Sequence, residues 1–431
     1  MGNRRLLAAL IVVVLVAAGV VTAVAVTRTT AACSDGFERG ESPLQPVALA
    51  ELDDTLTIGA PGVDGPRWAL RANFEVSVAI VDVGGWAAYV DAGTIVRVDE
   101  DGGTPWTWVP DDLRLVRTVV LDDDLLAVTW SGLRPTASGL VVLDADGGIV
   151  SCQRFADAPT FPAPDGEGGA GVVVAVGDGD APEYELVRTD ADGTERWRAP
   201  APGWSAEVTP TEDPGVAVTA TSSYLTVRDD STAGVQALDD STGEPRWRLG
   251  SDDLRGAFVG VLGEQDGTVF LAGTDEDRST RIHAVDASSG RIAWSTDVVD
   301  GWRDLVGGTA AVMDDLVVIR SRDTTFALDA TSGEERWRID QLQVSAPFLP
   351  RPIERLDAAG SLALLPGPGS IVDLTDGSTI SWIADDPIGS GVAEVGGVII
   401  HDVESLPVGS GHLVLGWDLD VDRLALPSAP S

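Results

Sequence analysis

An aspartate, a glycine and a tryptophan return at fixed spacing along most of this chain, and a sequence that repeats itself at such a period has to fold as a repeat. Asp239, Gly243 and Trp247 stand four residues apart, as do Asp286, Gly290 and Trp294, and Asp329, Gly333 and Trp337. A shorter turn gives Asp99, Gly102 and Trp106, and again Asp190, Gly193 and Trp197. Asp144 and Gly148 point to Cys152 where a tryptophan is expected, and Asp373 and Gly377 lead to Trp382, one position late. The markers at 106, 152, 197, 247, 294, 337 and 382 are separated by 46, 45, 50, 47, 43 and 45 residues.

Within each interval apolar residues alternate with polar ones, which is the period of a strand and excludes most helical repeats. The stretch "VVIRSRDTTFALDA" (317–330) reads as strand, polar turn, strand. A unit of roughly 40–50 residues built this way is a four-stranded propeller blade, so the expected fold is all-β, a β-propeller. "GVDGPRWAL" offers Gly65 and Trp68 without a preceding strand, and "GGVIIHDVESLPVGSGHLVLGWDLD" offers two strands without a following tryptophan strand. One blade completed from both ends of the chain closes a ring and removes its sheet edges. With seven internal motifs this makes eight blades, or seven if the 45–75 region is only a stalk.

Each marker has a structural reason. Aspartate at a strand end bonds its own backbone two residues on, and glycine takes the positive φ a tight turn needs. Tryptophan on the next strand buries a flat ring between neighbouring blades, and its indole N–H requires an acceptor. Thirteen tryptophans against three tyrosines suit that repeated packing role.

"LDDSTGEPRW", "VDASSGRIAW" and "LDATSGEERW" resemble the Trp-docking repeats of the pyrroloquinoline-quinone-like β-propeller superfamily, with their pattern A-x-D-x-x-T-G-x-x-x-W. The resemblance covers about residues 64–420. It implies a fold more firmly than a function, because the superfamily holds both eight-bladed quinoprotein alcohol dehydrogenases and non-catalytic envelope propellers. The dehydrogenases hold their quinone against a disulfide of adjacent cysteines and ligate a cation through Glu, Asn and Asp. Here Cys33 and Cys152 lie 119 residues apart, Asn73 is the only asparagine in the propeller, and no C-x-x-C-H is present. The expectation is therefore no cofactor, no metal and no catalytic residue.

Other chemistry has little footing. His283, His401 and His412 are scattered and form no zinc signature, and no G-x-S-x-G accompanies them. His283 sits in an alternating strand and reads as a strand residue. Acidic turns such as "DEDGG" and "DADGG" lack the closing glutamate of a calcium loop, and turn chemistry accounts for them. Weak Ca²⁺ binding is a minor alternative. Trp86, Trp108, Trp130, Trp204 and Trp302 lie outside the repeat position and are the candidate stacking residues of a carbohydrate-binding alternative.

The first residues state an address. Arg4 and Arg5 precede a 21-residue apolar run, Leu6 to Val26, long enough for a bilayer core of roughly 30 Å. Arginines on that flank keep it cytoplasmic and put the rest of the chain outside. A cleaved signal peptide ending near "AVA" is the alternative. The expected division is a cytoplasmic 1–5, an anchor 6–26, a stalk 27–54, the propeller 55–423 and a disordered tail 424–431. Beyond Arg28, 26 arginines face 68 acidic residues, a balance of −42, and lysine is absent. Such a surface repels nucleic acid and favours a basic partner. In an oxidising compartment Cys33 and Cys152 read as one disulfide, contributing on the order of 4–5 kcal/mol. Lipidation of Cys33 is disfavoured by Thr30 in "TAAC". The long connector "ADAPTFPAPDGEGGAG" (156–171) is expected to project from one face.

The functional expectation is a monomeric, non-catalytic, membrane-anchored extracytoplasmic propeller that binds a cell-envelope or secreted protein. The alternatives are a quinoprotein-type or other small-ligand enzyme using the central funnel, and a carbohydrate-binding propeller.

Overall fold

The computed structural model describes residues 37–51 and 66–418, the latter with breaks, the longest at 73–78, 156–162, 177–182, 202–215, 299–309, 341–353, 382–390 and 405–411. The apolar run 6–26, Cys33, Trp204, Trp302, Trp382 and the tail lie outside the described residues. Among the described residues no helix is long and apolar enough to cross a membrane.

These residues form eight antiparallel sheets, and in six of them, II to VII, the strands pair in chain order as a meander. Sheet I contains Ala79–Asp82, Ala87–Asp91, Thr94–Val98 and Thr107–Pro110. Sheet II runs from Leu113 to Phe155, sheet III from Ala163 to Pro200 and sheet IV from Val216 to Leu249. Sheet V spans Phe258 to Val298, sheet VI Ala310 to Asp340 and sheet VII Glu354 to Ser381. Sheet VIII joins Gly391–Val395, Val398–Glu404 and His412–Asp418 to Trp68–Ala72 from the other end of the chain. The first strands of sheets I to VI adjoin in succession, that of sheet VIII adjoins that of sheet I, and sheets VI and VII share a core layer, so the sheets follow a circle. This is a β-propeller.

The tryptophan strand of "GVDGPRWAL" therefore does complete a sheet from the far end, Trp68 opposite Gly416 and Ala72 opposite His412. The C-terminal stretch contributes the two strands it offered, Val398–Glu404 and His412–Asp418, and Gly391–Val395 just before it adds a third. Phe37–Arg39 and Leu44–Val47, within the expected stalk, are fifth strands on the outer edges of sheets I and VIII. The expected connector 156–171 also carries strand: Ala163 and Pro164 pair with Gly171 and Ala170.

Strand alternation makes the core. In Leu316–Arg320, Val317 and Ile319 pack toward sheet V with Phe270 and Ile282, whereas Leu316 and Val318 pack toward sheet VII with Ala363 and Val372. Among the described residues such apolar layers join each sheet to the next from VIII through I to VII.

Candidate functional site

The repeated residues meet at the junctions between sheets, where each tryptophan enters a socket on the next sheet's last turn. Trp247 of sheet IV donates its Nε1–H to the Ala287 carbonyl at 2.7 Å, and Trp294 does the same to Ala330 at 3.0 Å. Trp337 reaches Leu374 at 2.8 Å, Trp197 reaches Asp240 at 2.6 Å, Trp106 reaches Ala145 at 2.7 Å and Trp68 reaches Glu100 at 2.8 Å. The acceptor is in every case the residue after the turn aspartate. The ring lies over the turn glycine: a Cβ added to Gly243 would be 2.7 Å from Trp197 Cε3, and one on Gly290 2.8 Å from Trp247 Cγ. Gly243 has φ +72°, so that socket needs glycine for its backbone as well as its space.

The aspartates shape the turns. Asp329 Oδ1 accepts from the backbone N–H groups of Thr331 and Ser332 at 3.0 and 2.8 Å, and its other oxygen pairs with Arg336. The Arg336 hydrogen bond, followed by those from Ser332, holds its carboxyl at about 2. Asp286 is held at about 2 by the Ser288 and Ser289 hydroxyls, and Asp239 lies below the usual carboxylate range through Ser241 and Arg246. The carboxylates of these turns are engaged by their own segments.

Sheet II corrects the sequence reading. The positive-φ glycine beneath Trp106 is Gly147, not Gly148, whose N–H donates to Asp144 Oδ1 at 2.6 Å. Counting from Gly147, the docking position is Ser151 rather than Cys152, and Ser151 sits opposite Val142 at the bulge where the other sheets place tryptophan. Ser151 lies against Gly193 of sheet III, and Gln153 Nε2 donates to the Gly193 carbonyl at 2.6 Å. Gly147 obeys the short-turn spacing of Asp99, Gly102 and Trp106, which is the signal that would have found it. Cys152 is 5% exposed in the layer facing sheet I.

The junction of sheets III and IV carries what the motif did not reveal. Arg188, opposite Trp197 and 1% exposed, donates its Nε–H to Asp240 Oδ1 at 2.9 Å. Asp240 also accepts from Ser223 at 2.8 Å and pairs with Arg196 at 3.1 Å. At the next junction the Tyr224 hydroxyl donates to Glu264 at 2.6 Å. Burial, then the Glu264 carboxylate, raises the Tyr224 phenol above its usual range.

His283 and three of the tryptophans outside the repeat position are packed. His283 is 1% exposed, with Nδ1 2.8 Å from Ser295 Oγ and Nε2 3.0 Å from the Leu254 carbonyl. Trp86, Trp108 and Trp130 are buried in the layer between sheets I and II, which removes them as sugar-stacking platforms. Trp86 and Trp106 meet edge to face at 5.4 Å.

Comparisons with known proteins agree with this geometry. The family model described as outer membrane protein assembly factor BamB matches residues 183–299 and 278–352. BamB from Moraxella catarrhalis has a TM-score of 0.50 at 15% identity, over 81% of this chain and 98% of that one. Quinohemoprotein alcohol dehydrogenase from Comamonas testosteroni has a TM-score of 0.52 at 13% identity, over 88% of this chain and 79% of that one. The serine/threonine-protein kinase AfsK of Streptomyces griseus is 32% identical over 113 residues, 25% of this chain and 13% of the kinase. Over residues 183–352 the chain is similar to that assembly-factor family, and with the solved structures it shares the β-propeller fold. At these identities the two solved structures share its fold, and the fold serves both an assembly factor and a dehydrogenase.

Proposed function

We propose that this chain is a membrane-anchored, extracytoplasmic propeller of eight blades that binds another cell-envelope protein and catalyses nothing itself. The observation that carries this reading is the engagement of the repeated residues: the described aspartates and tryptophans of the motif are tied to sockets and turns between sheets. The BamB-like family match supports an assembly or scaffolding role over part of the chain. The surplus of acidic residues favours a basic protein surface as partner. The run 6–26 serves as the anchor, and the segment after it is short because strand pairing begins at Phe37. Cys152 is proposed to pair with Cys33, the chain's only other cysteine, fastening the membrane-proximal segment to sheet II. A Cys33–Cys152 linked peptide should appear in mass spectrometry of the non-reduced protein.

The test is a titration of the full chain with pyrroloquinoline quinone and Ca²⁺, following absorbance and thermal stability. The expected result is neither a saturable spectral change nor stabilisation. Saturable binding with a rise in melting temperature would refute the non-catalytic reading in favour of the quinoprotein one.

A further inference from the structure

The two fifth strands lie on neighbouring sheets, on either side of the place where the ends of the chain meet. The ring is closed by five residue pairs, Trp68 to Ala72 against Gly416 to His412. Arg67 adds its N–H to the Gly416 carbonyl at 2.7 Å and an ion pair to Asp418 at 3.1 Å. Leu44–Val47 then pairs along the outer side of that closing strand, Leu44 opposite Ala72 and Val47 opposite Ala69. A few residues earlier, Phe37–Arg39 pairs along the outer strand of sheet I, Phe37 opposite Pro110 and Arg39 opposite Trp108.

We infer that residues 37–47 are a clasp that locks the ring closure from outside, rather than a spacer leading to the ring. The closing strand Trp68–Ala72 immediately precedes the first strand of sheet I, Ala79–Asp82, in chain order, so the two are covalently tied. The clasp holds its hairpin partner to sheet I a second time, at the rim. With both ends fixed to sheet I, the hairpin can swing away from His412–Asp418 only after the rim pairing breaks.

Each part of the clasp fits that role. Gly40 donates its N–H to the Thr107 carbonyl at 3.0 Å and passes so close to sheet I that a Cβ there would lie 2.6 Å from Val109 Cγ2. Arg39 Nη2 reaches the Asp146 carbonyl of sheet II at 2.7 Å, so the segment touches three consecutive sheets. Leu44 is 3% exposed in a layer built jointly from Tyr89 and Val96 of sheet I and Ile400 and Val414 of sheet VIII. Pro46, on the outermost strand, offers no N–H to a further strand and ends the sheet there.

Amide hydrogen exchange on the full chain tests this with Gly40→Val, which adds side-chain atoms where Val109 already stands. Exchange at 68–72 and 412–416 should rise by roughly tenfold or more, while 268–274 and 316–320 in sheets V and VI keep their protection. A uniform rise in all sheets would overturn the inference, because the segment would then support the fold generally. Fast exchange at 37–39 with an unchanged closure would overturn it too, because the clasp would have opened without consequence. If Gly40→Val does not fold, Leu44→Ala, which shortens a side chain without adding bulk, answers with the same readout.

Discussion

Alanine at Gly243 strikes a tryptophan socket, and the same change at Gly267 provides a matched control. Both glycines have left-handed backbone, with φ +72° and +74°. Alanine at either meets the same conformational cost of roughly 1–2 kcal/mol. What lies beyond the new methyl differs: at Gly243 it would be 2.7 and 2.9 Å from two carbons of Trp197, and at Gly267 nothing lies within 4 Å. Trp197 cannot slide aside freely, because it is 8% exposed and its Nε1–H is held by the Asp240 carbonyl at 2.6 Å. Forcing such a contact adds about 1–3 kcal/mol. Urea unfolding should therefore show a loss of about 2–5 kcal/mol for Gly243→Ala and about 1–2 kcal/mol for Gly267→Ala. In a Trp197→Leu background the extra cost at Gly243 should largely vanish. Equal losses for the two single variants, or an undiminished cost without the indole, would refute the socket as a stabilising contact.

Two further outcomes follow from buried charge and from burial. Asp240→Ala leaves Arg188 buried without its carboxylate and should cost about 3–5 kcal/mol in the same unfolding assay, whereas Arg188→Met combined with Asp240→Asn should cost clearly less; equal losses would show that the pair is not what holds this junction. Burial, partly opposed by the Leu254 carbonyl, holds the His283 imidazole below its ordinary 6.5, so the native state takes up its proton later than the unfolded chain does. The stability associated with neutral His283 is full above about pH 6.5 and falls as pH drops toward the lower folded value. His283→Gln should flatten that acid limb in a series of urea midpoints, and an unchanged slope would show that another group controls it.

The repeat, its strands and its turns were legible in the residues because these are local matters. An Asp–Gly turn needs only its own few residues to declare itself, and alternating polarity marks a strand wherever it later packs. Trp68 even announced a sheet shared between the two ends of the chain. Sheet II misled because Gly147 and Gly148 are adjacent, and the turn selects between them by backbone conformation, which a spacing rule does not contain. Trp86, Trp108 and Trp130 were candidate binding residues until burial showed which way each ring points.

By itself the sequence determined that this chain must build a ring of like β units, since period, turn chemistry and polarity all recur within every unit. Only the tertiary structure decided which partner each unit uses: that Trp197 docks on the turn of the following sheet, that Asp240 neutralises a buried Arg188, and that residues 37–47 cross the seam of the ring. Those choices depend on contacts between residues tens to hundreds of positions apart, which exist only once the circle has closed.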